Sequence, residues 1–590
     1  MVTAYLGTKF DGHDTAAFLL IPQFKQAYGL STERLTRVKH DRLFPVGVIE
    51  RIAQQAEGLL SSVDKICCAN SFLSHRTRIY ALDQYERDVE LRRTTTTGIT
   101  AANGRERTAH PACSGFGTLH EIILRHLRRI FPRAKVSLSH FDHEYCHARS
   151  SYDFGPIDEA LVLTMDGEGD SGVFSRAYVG CAGRLTQVAA SCSPHRLHGT
   201  LQGRGFDGPC SLGGIYAFFT HHLGFVPNSE EGKIEALAAA GRPISWLYAS
   251  MMRSCRIGED LSLQVDAEQL LPVMAALAAP EGHLVEAPAD LAATAQLFLE
   301  DVVVAYTRRL LRETGSRALC LSGGVFGNVL LNMQMADLVG GRMYVAPAVG
   351  DEGSAQGAAS ASFVADVGEG SAATWLRDLS MPYFGTSYDQ AEAIAALDRR
   401  RARLHVVDAG VDIADTVAQR VHTGEIGGLF QGRMEFGPRA LGNRSILASP
   451  RDISIKNRIN AKVKRRPPFQ PVCPAVLRSE LERLFPTAYP NAHMTCAFPL
   501  AREHRTALPG AAHLDGTSRV QFVGAEDNPL LFEVLRRMQA ITGYGVILNT
   551  SFNIHGKTIV ETPDDAIDDF LESGMDFLLI MGILVERALP

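Results

Sequence analysis

The alternation of apolar and polar residues predicts the same β-hairpin at two places in the chain. Residues 3–20 read as strand, turn and strand around Asp11-Gly12-His13-Asp14, and residues 160–174 repeat this plan around Asp166-Gly167-Glu168-Gly169-Asp170. Glycine permits the left-handed backbone of such turns and lets main-chain N–H groups approach an anion. We therefore expect both turns to face a phosphate or a metal ion, although two unrelated hairpins would show the same pattern.

The segments between and after the hairpins are mainly helical. Periodic apolar residues predict amphipathic helices from Val48 to Leu60 and from Leu119 to Ile130. A buried strand at residues 318–322 runs into Gly323-Gly324 and another helix, while the interval 84–108 is polar and predicts an exposed excursion. Strands that alternate with helices predict an α/β protein, and the paired hairpins favour a duplicated, actin-like first domain.

A change of composition marks a second domain. Gly368, Gly370 and Ser371 interrupt the preceding helical pattern, and new strands are predicted at 404–407 and 426–430. We place the first domain at residues 1–375, a linker at 376–400 and the second domain at 401–590.

The totals exclude several classes of protein. The chain has 590 residues, enough for two or more domains, and its 46% hydrophobic and 21% charged residues are ordinary for a globular protein. A net charge of −6 gives no general reason to bind nucleic acid or an anionic membrane. The eleven cysteines include no Cys-x2-Cys pair, which argues against a zinc ribbon and fits a reducing compartment. Since we find no signal peptide and no long apolar run, we expect a cytoplasmic protein.

One stretch carries a candidate metal site. In Ser139-His140-Phe141-Asp142-His143-Glu144-Tyr145-Cys146-His147-Ala148, His143 and His147 are four residues apart and would share one face of a helix. Two neutral imidazoles so placed can share a divalent metal ion, whereas surface or core histidines are the alternative. Ser139 and Asp142 predict that the helix begins at Ser139. Asp166 and Asp351 each add a carboxylate at a glycine-flanked turn, and His140 competes for the role of ligand.

A second kind of site is predicted in the C-terminal part. Residues 432–445 hold Arg433, Arg439 and Arg444 among glycines and a proline, and residues 460–466 add two lysines and two arginines. Arginine matches phosphate oxygens with a planar fork, so these clusters predict a compact polyanion such as a triphosphate or an acyl phosphate. A solvated basic face is the alternative. The helix after Gly323-Gly324 is a further candidate anion site, unless these glycines only form a tight strand–helix turn.

Taken together, the motifs resemble one enzyme family over nearly the whole chain. Glu435-Phe436-Gly437-Pro438-Arg439-Ala440-Leu441-Gly442-Asn443-Arg444-Ser445 and Leu548-Asn549-Thr550-Ser551-Phe552-Asn553 are similar to signatures of the antibiotic and nodulation-factor O-carbamoyltransferases, such as tobramycin carbamoyltransferase. Further matches are Glu33-Arg34-Leu35-Thr36-Arg37-Val38-Lys39-His40, His147-Ala148-Arg149-Ser150-Ser151-Tyr152 and Glu231-Gly232-Lys233. The resemblance implies an actin-like domain followed by an α/β domain like those of threonylcarbamoyl-adenylate synthases.

The resemblance also implies an activity and its cofactors. Carbamoyl phosphate and ATP, the latter with Mg, would give carbamoyl-adenylate in the second domain. The first domain would then transfer the carbamoyl group to a hydroxyl of a specialised metabolite. The metal ion would be Fe(II), with Mn(II) or Zn(II) as alternatives that the ligand chemistry allows. Neither nucleic acid nor a membrane is implied as a partner, and the acceptor alcohol and the oligomeric state stay open.

The same resemblance assigns residues to roles. His13 would be the general base for the acceptor hydroxyl, although a turn histidine with a structural hydrogen bond is the alternative. The metal ligands would be His143, His147, Asp166 and Asp351. The AMP contacts of the first domain would be Gly232, Lys233, Gly323, Gly324 and Asn328. The carbamoyl phosphate and ATP contacts of the second domain would be Arg433, Arg439, Arg444, Lys464, Arg466, Arg519, Ser551 and Asn553.

Four positions depart from the family pattern. Glu144 replaces a histidine, Gln470 replaces an arginine, Lys557 stands where an acidic residue is common, and Glu235-Ala236-Leu237-Ala238 replaces Met-Gly-Leu-Ala.

Two other functions use related folds. One is tRNA threonylcarbamoylation, which the acidic chain disfavours. The other is a non-catalytic, actin-like nucleotide sensor, which would need neither the metal group nor the basic domain.

Overall fold

The computed structural model contains two five-stranded sheets and one eight-stranded sheet. The residues it describes are 2–10, 12–72, 79–81, 116–201, 204–278, 287–370, 375–408 and 412–588. Four two-stranded sheets accompany the large ones among these residues. In this part of the chain, no helix has both the length and the apolar surface that crossing a membrane requires.

The first sheet is built around the first predicted hairpin. The strands of this part are β1 (Thr3–Lys9), β2 (Ala16–Ile21), β3 (Gln26–Ser31), β4 (Lys65–Asn70), β5 (Ile79–Ala81), β6 (Phe116–Thr118) and β7 (Lys135–His140). Its helices are α1 (Thr32–Thr36), α2 (Val46–Gln55), α3 (Glu57–Leu60) and α4 (Leu119–Ile130). The strand order in the sheet is β3-β2-β1-β4-β7.

The second sheet is built around the second predicted hairpin. Its part of the chain contains the strands β8 (Ala160–Met165), β9 (Val173–Cys181), β10 (Arg184–Cys192), β11 (Arg196–Leu201), β12 (Arg204–Pro209), β13 (Cys255–Ile257), β14 (Leu263–Val265), β15 (Leu319–Ser322) and β16 (Met343–Val345). The helices are α5 (His143–Tyr152), α6 (Leu212–His222), α7 (Glu231–Ala238), α8 (Ser245–Arg253), α9 (Ala267–Ala278), α10 (Pro288–Thr314), α11 (Val329–Leu338) and α12 (Asp351–Val367). The strand order is β10-β9-β8-β15-β16.

The two sheets share one topology. β1 pairs antiparallel with β2 and parallel with β4, and β8 pairs antiparallel with β9 and parallel with β15 in the same way. The outer strands repeat the pattern, because β7 and β16 both extend their sheets in parallel. This repeat confirms the predicted α/β class and the duplicated, actin-like first domain, and both hairpins lie where the polarity pattern placed them.

The third sheet has helices on both faces. Its strands are β17 (Leu404–Val407), β18 (Gly427–Phe430), β19 (Arg444–Ala448), β20 (Cys473–Leu477), β23 (Gln521–Val523), β24 (Val546–Ser551), β25 (Phe577–Ile580) and β26 (Ile583–Arg587), while β21 (Ala497–Pro499) and β22 (Thr517–Arg519) pair separately. The helices are α13 (Gln390–Asp398), α14 (Ile413–His422), α15 (Ile453–Arg458), α16 (Leu481–Leu484), α17 (Pro529–Thr542) and α18 (Pro563–Glu572). Neighbouring strand residues belong to opposite cores, as Leu429 and Phe430 do, so the sheet is buried on both sides.

Helix α13 lies inside the segment predicted as a linker. Its residues Ala393 and Ala396 are fully buried in the same apolar core as Phe430 and Ile446 of the third sheet. Part of the segment therefore packs with the second domain. The boundaries at residues 375 and 401 stay a prediction.

Two helix predictions need correction. The helix with the two histidines does not begin at Ser139, because Ser139 lies in β7 and pairs there with β4. Asp142 is the N-cap instead, and its carboxylate accepts the main-chain N–H of Tyr145 at 3.0 Å. The single helix expected from Val48 to Leu60 is two helices, α2 and α3. The polar excursion at 84–108 lies outside the described residues.

Helix α12 packs very close to α5 and β1. A Cβ atom on Gly357 of α12 would lie 1.7 Å from the carbonyl oxygen of Cys146 in α5. A Cβ atom on Gly7 of β1 would lie 1.8 Å from the carbonyl oxygen of Ala355 in α12. Only glycine allows such an approach of two backbones. This contact sets the distance between α5 and the N-terminus of α12.

The change Gly357→Ala should lower the free energy of unfolding by about 3 kcal/mol, because the new methyl group must displace the backbone of α5. Gly58→Ala is a matched control, since a Cβ atom on Gly58 of α3 would meet nothing within 4 Å. That control should be neutral or stabilising by up to about 1 kcal/mol. Urea unfolding of both variants measures the difference, and equal stabilities would show that the helices are not in tight contact.

Candidate active site

One cleft of about 1780 Å³ contains most of the predicted site residues. It is lined by the two hairpin turns and the start of α12 on one side and by loops of the third sheet on the other. Because the cleft is continuous, a molecule released at one wall can reach the other wall without leaving it.

The four predicted metal ligands converge at the first wall. Their ligand atoms all lie within 4.8 Å of one another. The Nε2 atoms of His143 and His147 are 3.2 Å apart, and Asp166 Oδ2 lies 3.4 and 3.3 Å from them. Asp351 Oδ1 lies 3.3 and 3.7 Å from the same two nitrogens. His140, the competing histidine, is the last residue of β7, and its Nε2 atom instead lies 3.1 Å from Nδ1 of His120.

Buried polar contacts aim these side chains at a common point. The hydroxyl of Ser322 lies 3.2 Å from Nδ1 of His147, which leaves Nε2 facing the other ligands. Lys9 is almost fully buried and binds Asp351 Oδ2 at 2.9 Å, so that Oδ1 faces the histidines. Burial opposes ionisation of Asp351, but Lys9 and the nearby histidines outweigh burial and hold the pKa of the carboxyl well below its usual range.

This donor set fits one divalent metal ion. Donor separations of 3.2 to 3.7 Å are those expected for atoms that surround an ion at roughly 2.1 Å. Two imidazole nitrogens and two carboxylate oxygens suit Fe(II), Mn(II) or Zn(II), so the donors do not choose among them. Glu144, one of the departures, lies beside this group. Burial raises its pKa to about 7, although the nearby His147 and His143 rings act in the opposite direction.

His13 stands next to the metal-ligand group and lines the cleft. Its Nδ1 atom lies 2.9 Å from Asp14 Oδ2 and 3.8 Å from Asp351 Oδ2. Burial opposes protonation of the ring, but Asp351 and Asp14 outweigh burial and raise the pKa of His13 to about 9. A divalent ion on Asp351 would offset that carboxylate and favour the neutral ring that a general base requires.

The predicted AMP contacts of the first domain are only partly brought together. Four of the five residues line the cleft, namely Gly232, Lys233, Gly324 and Asn328. Gly323 packs behind the wall, since a Cβ atom there would lie 2.3 Å from the carbonyl oxygen of Met165. The ammonium group of Lys233 is paired with Glu230 in the preceding turn.

The N-terminus of α11, which we expected to be an anion site, is occupied by a side chain of the protein. Glu235 Oε1 accepts the main-chain N–H groups of Val329 at 2.8 Å and Leu330 at 3.0 Å. Asn328 caps the next N–H group. The expectation of an open anion site after Gly323-Gly324 is therefore corrected, because the departure residue Glu235 supplies the carboxylate itself.

Six predicted residues of the second domain form the opposite wall, namely Arg439, Lys464, Arg466, Arg519, Ser551 and Asn553. Within the described ranges, no carboxylate oxygen lies within 4.0 Å of the four cations. Lys464 Nζ donates to Asn553 Oδ1 at 2.8 Å and to Ser551 Oγ at 3.1 Å. Burial lowers the pKa of Lys464 and lowers those of Arg439 and Arg466 to about 10. Buried cations without carboxylate partners favour a bound polyanion.

The structure does not bring Arg433 and Arg444 into this wall. Arg444 is fully buried, with its guanidinium 3.7 Å from the ring centre of Phe430 and hydrogen-bonded to main-chain carbonyls. Arg433 donates to the carbonyl oxygens of Phe384 at 2.7 Å and Ala27 at 2.8 Å. Neither arginine is among the residues that line the cleft, so we leave these two arginines out of the proposed phosphate contacts.

Sequence reasoning missed four side chains of the site, namely Lys9, Asp14, His40 and Glu235. For two of them, the sequence held a signal that could have indicated a place in the site. Asp14 follows His13 directly, and His40 is the last residue of the family motif that begins at Glu33. Of the other departures, Gln470 lines the cleft. Lys557 also lines it, but its charge is balanced by Asp569 at 3.0 Å.

Comparison with known proteins adds independent findings. Residues 4–360 match the family model described as Carbamoyltransferase N-terminus, and residues 418–587 match Carbamoyltransferase C-terminus. An uncharacterised protein of Methanocaldococcus jannaschii is 36% identical over 615 residues, with 99% of both chains covered. Nodulation protein NolNO of Sinorhizobium fredii is 27% identical over 598 residues, covering 98% of this chain and 79% of its own. The crystal structure of T. kodakarensis HypF covers 61% of this chain and 46% of HypF at 15% identity and a TM-score of 0.33, which is too weak a likeness to support an inference.

The fold and the site define a two-domain α/β enzyme with a cleft between a metal-ligand group and a basic wall. The chain belongs to the carbamoyltransferase family, since the N-terminal family model alone spans more than half of it. The predicted transfer of a carbamoyl group is confirmed at this level.

Arg444→Met should lower the free energy of unfolding by about 3 kcal/mol, because it leaves buried carbonyl groups without donors. Arg439→Met should be neutral or stabilising, since it removes a buried cation that has no carboxylate partner. Urea unfolding of the two variants without ligand tests this division, and equal destabilisation would contradict it.

Proposed function

We propose that the protein is an ATP-dependent O-carbamoyltransferase that acts in two steps. The second domain makes carbamoyl-adenylate from carbamoyl phosphate and ATP, and the first domain passes the carbamoyl group to a hydroxyl of a specialised metabolite. The observation that carries this proposal is the continuous cleft. One wall has cations with no carboxylate oxygen within 4.0 Å among the described residues, and the other has the four proposed metal ligands with His13. Family membership supports the carbamoyl group itself.

The basic wall suits the first step. Carbamoyl phosphate is hydrolysed to carbamate and phosphate, a carbamate oxygen attacks the α-phosphorus of ATP, and pyrophosphate leaves with Mg. Lys464, Arg439 and Arg519 offer positive charge that is already in place when charge develops on the phosphoryl oxygens. Because the donors are held by the fold, the reaction needs little reorganisation of the protein.

The opposite wall suits the second step. The acceptor hydroxyl gives its proton to Nε2 of His13 as its oxygen attacks the carbamoyl carbon, and AMP leaves. A metal ion held by His143, His147, Asp166 and Asp351 would supply Lewis acidity that polarises the carbamoyl group. We place the AMP phosphate away from the N-terminus of α11, because Glu235 already fills it.

The shared cleft also shortens the path of the intermediate. A mixed anhydride of carbamate and AMP reacts with water, so its two steps profit from sharing one space. Both walls belong to the same chain, and the intermediate need only cross the cleft between them.

The two steps should be separable by mutation. Lys464→Met should slow pyrophosphate release from ATP and carbamoyl phosphate by roughly 100-fold, because it removes a fixed donor. His13→Ala should leave pyrophosphate release unchanged and lower carbamoyl transfer to an alcohol by about 100-fold or more. Pyrophosphate is followed by a coupled assay and the product by the mass of one added carbamoyl group.

Three outcomes would oppose this proposal. Pyrophosphate release by Lys464→Met at the normal rate would remove the basic wall from the first step. Unchanged product formation by His13→Ala would remove His13 as the base. Release of pyrophosphate with threonine and bicarbonate, but not with carbamoyl phosphate, would point to threonylcarbamoyl chemistry instead.

The metal site should depend on the histidines of α5. His147→Ala should lower the bound divalent metal to about a tenth or less of the normal content, because one of four donors is lost. His140→Ala is the matched control and should keep its metal. Metal analysis of both purified variants by mass spectrometry, with circular dichroism as a check on folding, measures this. Equal metal contents would place the ion elsewhere.

A further inference from the structure

A carboxylate at the first hairpin turn joins two imidazoles. Asp14 Oδ2 lies 2.9 Å from Nδ1 of His13, and Asp14 Oδ1 lies 2.8 Å from Nδ1 of His40. Asp14 has a φ of 55°, in the left-handed region that aspartate and asparagine tolerate better than most residues. The turn therefore presents its carboxylate between the two rings.

His40 is itself held in place. Its main-chain N–H donates to Glu33 Oε2 at 3.0 Å, and Glu33 pairs with Arg34 at 2.7 Å. Arg34 in turn donates to the carbonyl oxygen of Gly437 in the second domain at 2.7 Å. The main chain at His40 is thus held by a short, partly buried chain of polar contacts, and the bond to Asp14 orients its ring.

One other acceptor competes for the same nitrogen of His13. Asp351 Oδ2 lies 3.8 Å from Nδ1, beyond hydrogen-bond distance. That oxygen is bound by Lys9 at 2.9 Å, while the other oxygen of Asp351 faces the histidines of α5. Asp14 is therefore the acceptor for Nδ1–H of His13.

We propose that Asp14 and His40 are positioning residues for His13. Asp14 accepts the Nδ1–H group of His13, and a neutral imidazole that donates from Nδ1 must accept at Nε2. His40 donates to the second oxygen of Asp14 and keeps that carboxylate from turning away. Nε2 of His13 is then the atom that faces the cleft as an acceptor. The catalytic part of this inference rests on the proposed function, in which the acceptor hydroxyl gives its proton to Nε2 while Nδ1–H stays in place.

The arrangement has a testable consequence for the tautomer of His13. Histidine-ring ¹⁵N–¹H spectra of the full-length protein loaded with diamagnetic Zn(II) report which nitrogen carries the proton, and loss of one signal set in His13→Ala assigns His13. We expect Nδ1–H in the natural protein. Asp14→Asn should shift or lose this signal, because its amide can donate to Nδ1 and favour the other tautomer. A neutral His13 ring with its proton on Nε2, measured at a pH where the ring is deprotonated, would overturn the proposal.

Kinetics test the catalytic part. Asp14→Asn should lower kcat for carbamoyl transfer by about 100-fold with little change in the KM of the acceptor, and it should leave pyrophosphate release unchanged. His40→Gln should keep most of the activity because its amide can still donate to Asp14, whereas His40→Leu should approach Asp14→Asn. Equal activity of His40→Gln and His40→Leu would remove His40 from the role.

The spectra and the kinetics together separate this inference from the proposed function. If the natural protein transfers no carbamoyl group to any alcohol, the proposed function fails and the spectra still decide the tautomer. If transfer occurs and Asp14→Asn has normal kcat, the positioning role fails alone. Thermal unfolding and metal content should match the natural protein in these variants, because Asp14 and His40 lie outside the group of four proposed ligands. Asp14, His40 and Glu33 also have ligand atoms within 4.8 Å of one another, so loss of metal in Asp14→Asn would place an ion there and overturn the positioning role.

Discussion

The active-site geometry depends on the near contact of two helix backbones. Gly357 of α12 lies against the carbonyl of Cys146 in α5, and the next residue of α5 is His147. Asp351 is the first residue of α12, so the spacing of the helices is also the spacing of the ligands. The helix α5 has few apolar residues and yet is buried, which requires internal partners for its polar groups. Small residues and hydrogen bonds therefore hold this part of the fold together.

Charge divides the cleft into two unlike walls. On the basic wall, burial lowers the pKa of Lys464 and of Arg439. On the wall with the proposed metal ligands, burial and the nearby Asp14 raise the pKa of Glu352 to about 7. A buried charge without a partner costs several kcal/mol, so each wall is incomplete by itself. In the proposed function, phosphate groups on one side and a divalent cation on the other would supply the missing charges. In that case the same unbalanced charges explain why the ligands stabilise the protein and why the protein selects them.

Contacts between the domains keep the walls at a fixed separation. Arg433 reaches the carbonyl of Ala27, Arg34 reaches the carbonyl of Gly437, and Thr558 donates to the carbonyl of Glu33 at 2.8 Å. Each of these bonds joins a charged or polar side chain to the main chain of the other domain. Main-chain acceptors cannot rotate away as side chains can, which suits a cleft whose two walls would act on one intermediate in the proposed function.

Local patterns were sufficient for part of this description. The two hairpins, the spacing of His143 and His147 and the strand that runs into Gly323-Gly324 follow from periods of two or 3.6 residues and from turn chemistry, which depend on near neighbours. The same holds for the family motifs, since they are contiguous. The predicted start of the histidine helix failed because Ser139 is held in β7 by its pairing with β4.

The tertiary structure decided which charged side chains lie next to one another. Arg433, Arg439 and Arg444 lie within twelve residues, yet only Arg439 faces the cleft, because carbonyl groups from distant loops take the other two. Glu235 closes a helix N-terminus 94 residues away, and Asp14 meets His40 across 26 residues. The sequence by itself determined the types of chemical group and the elements that carry them. Their pairing was left to the tertiary structure, because partners at that separation are set by packing and not by any local period.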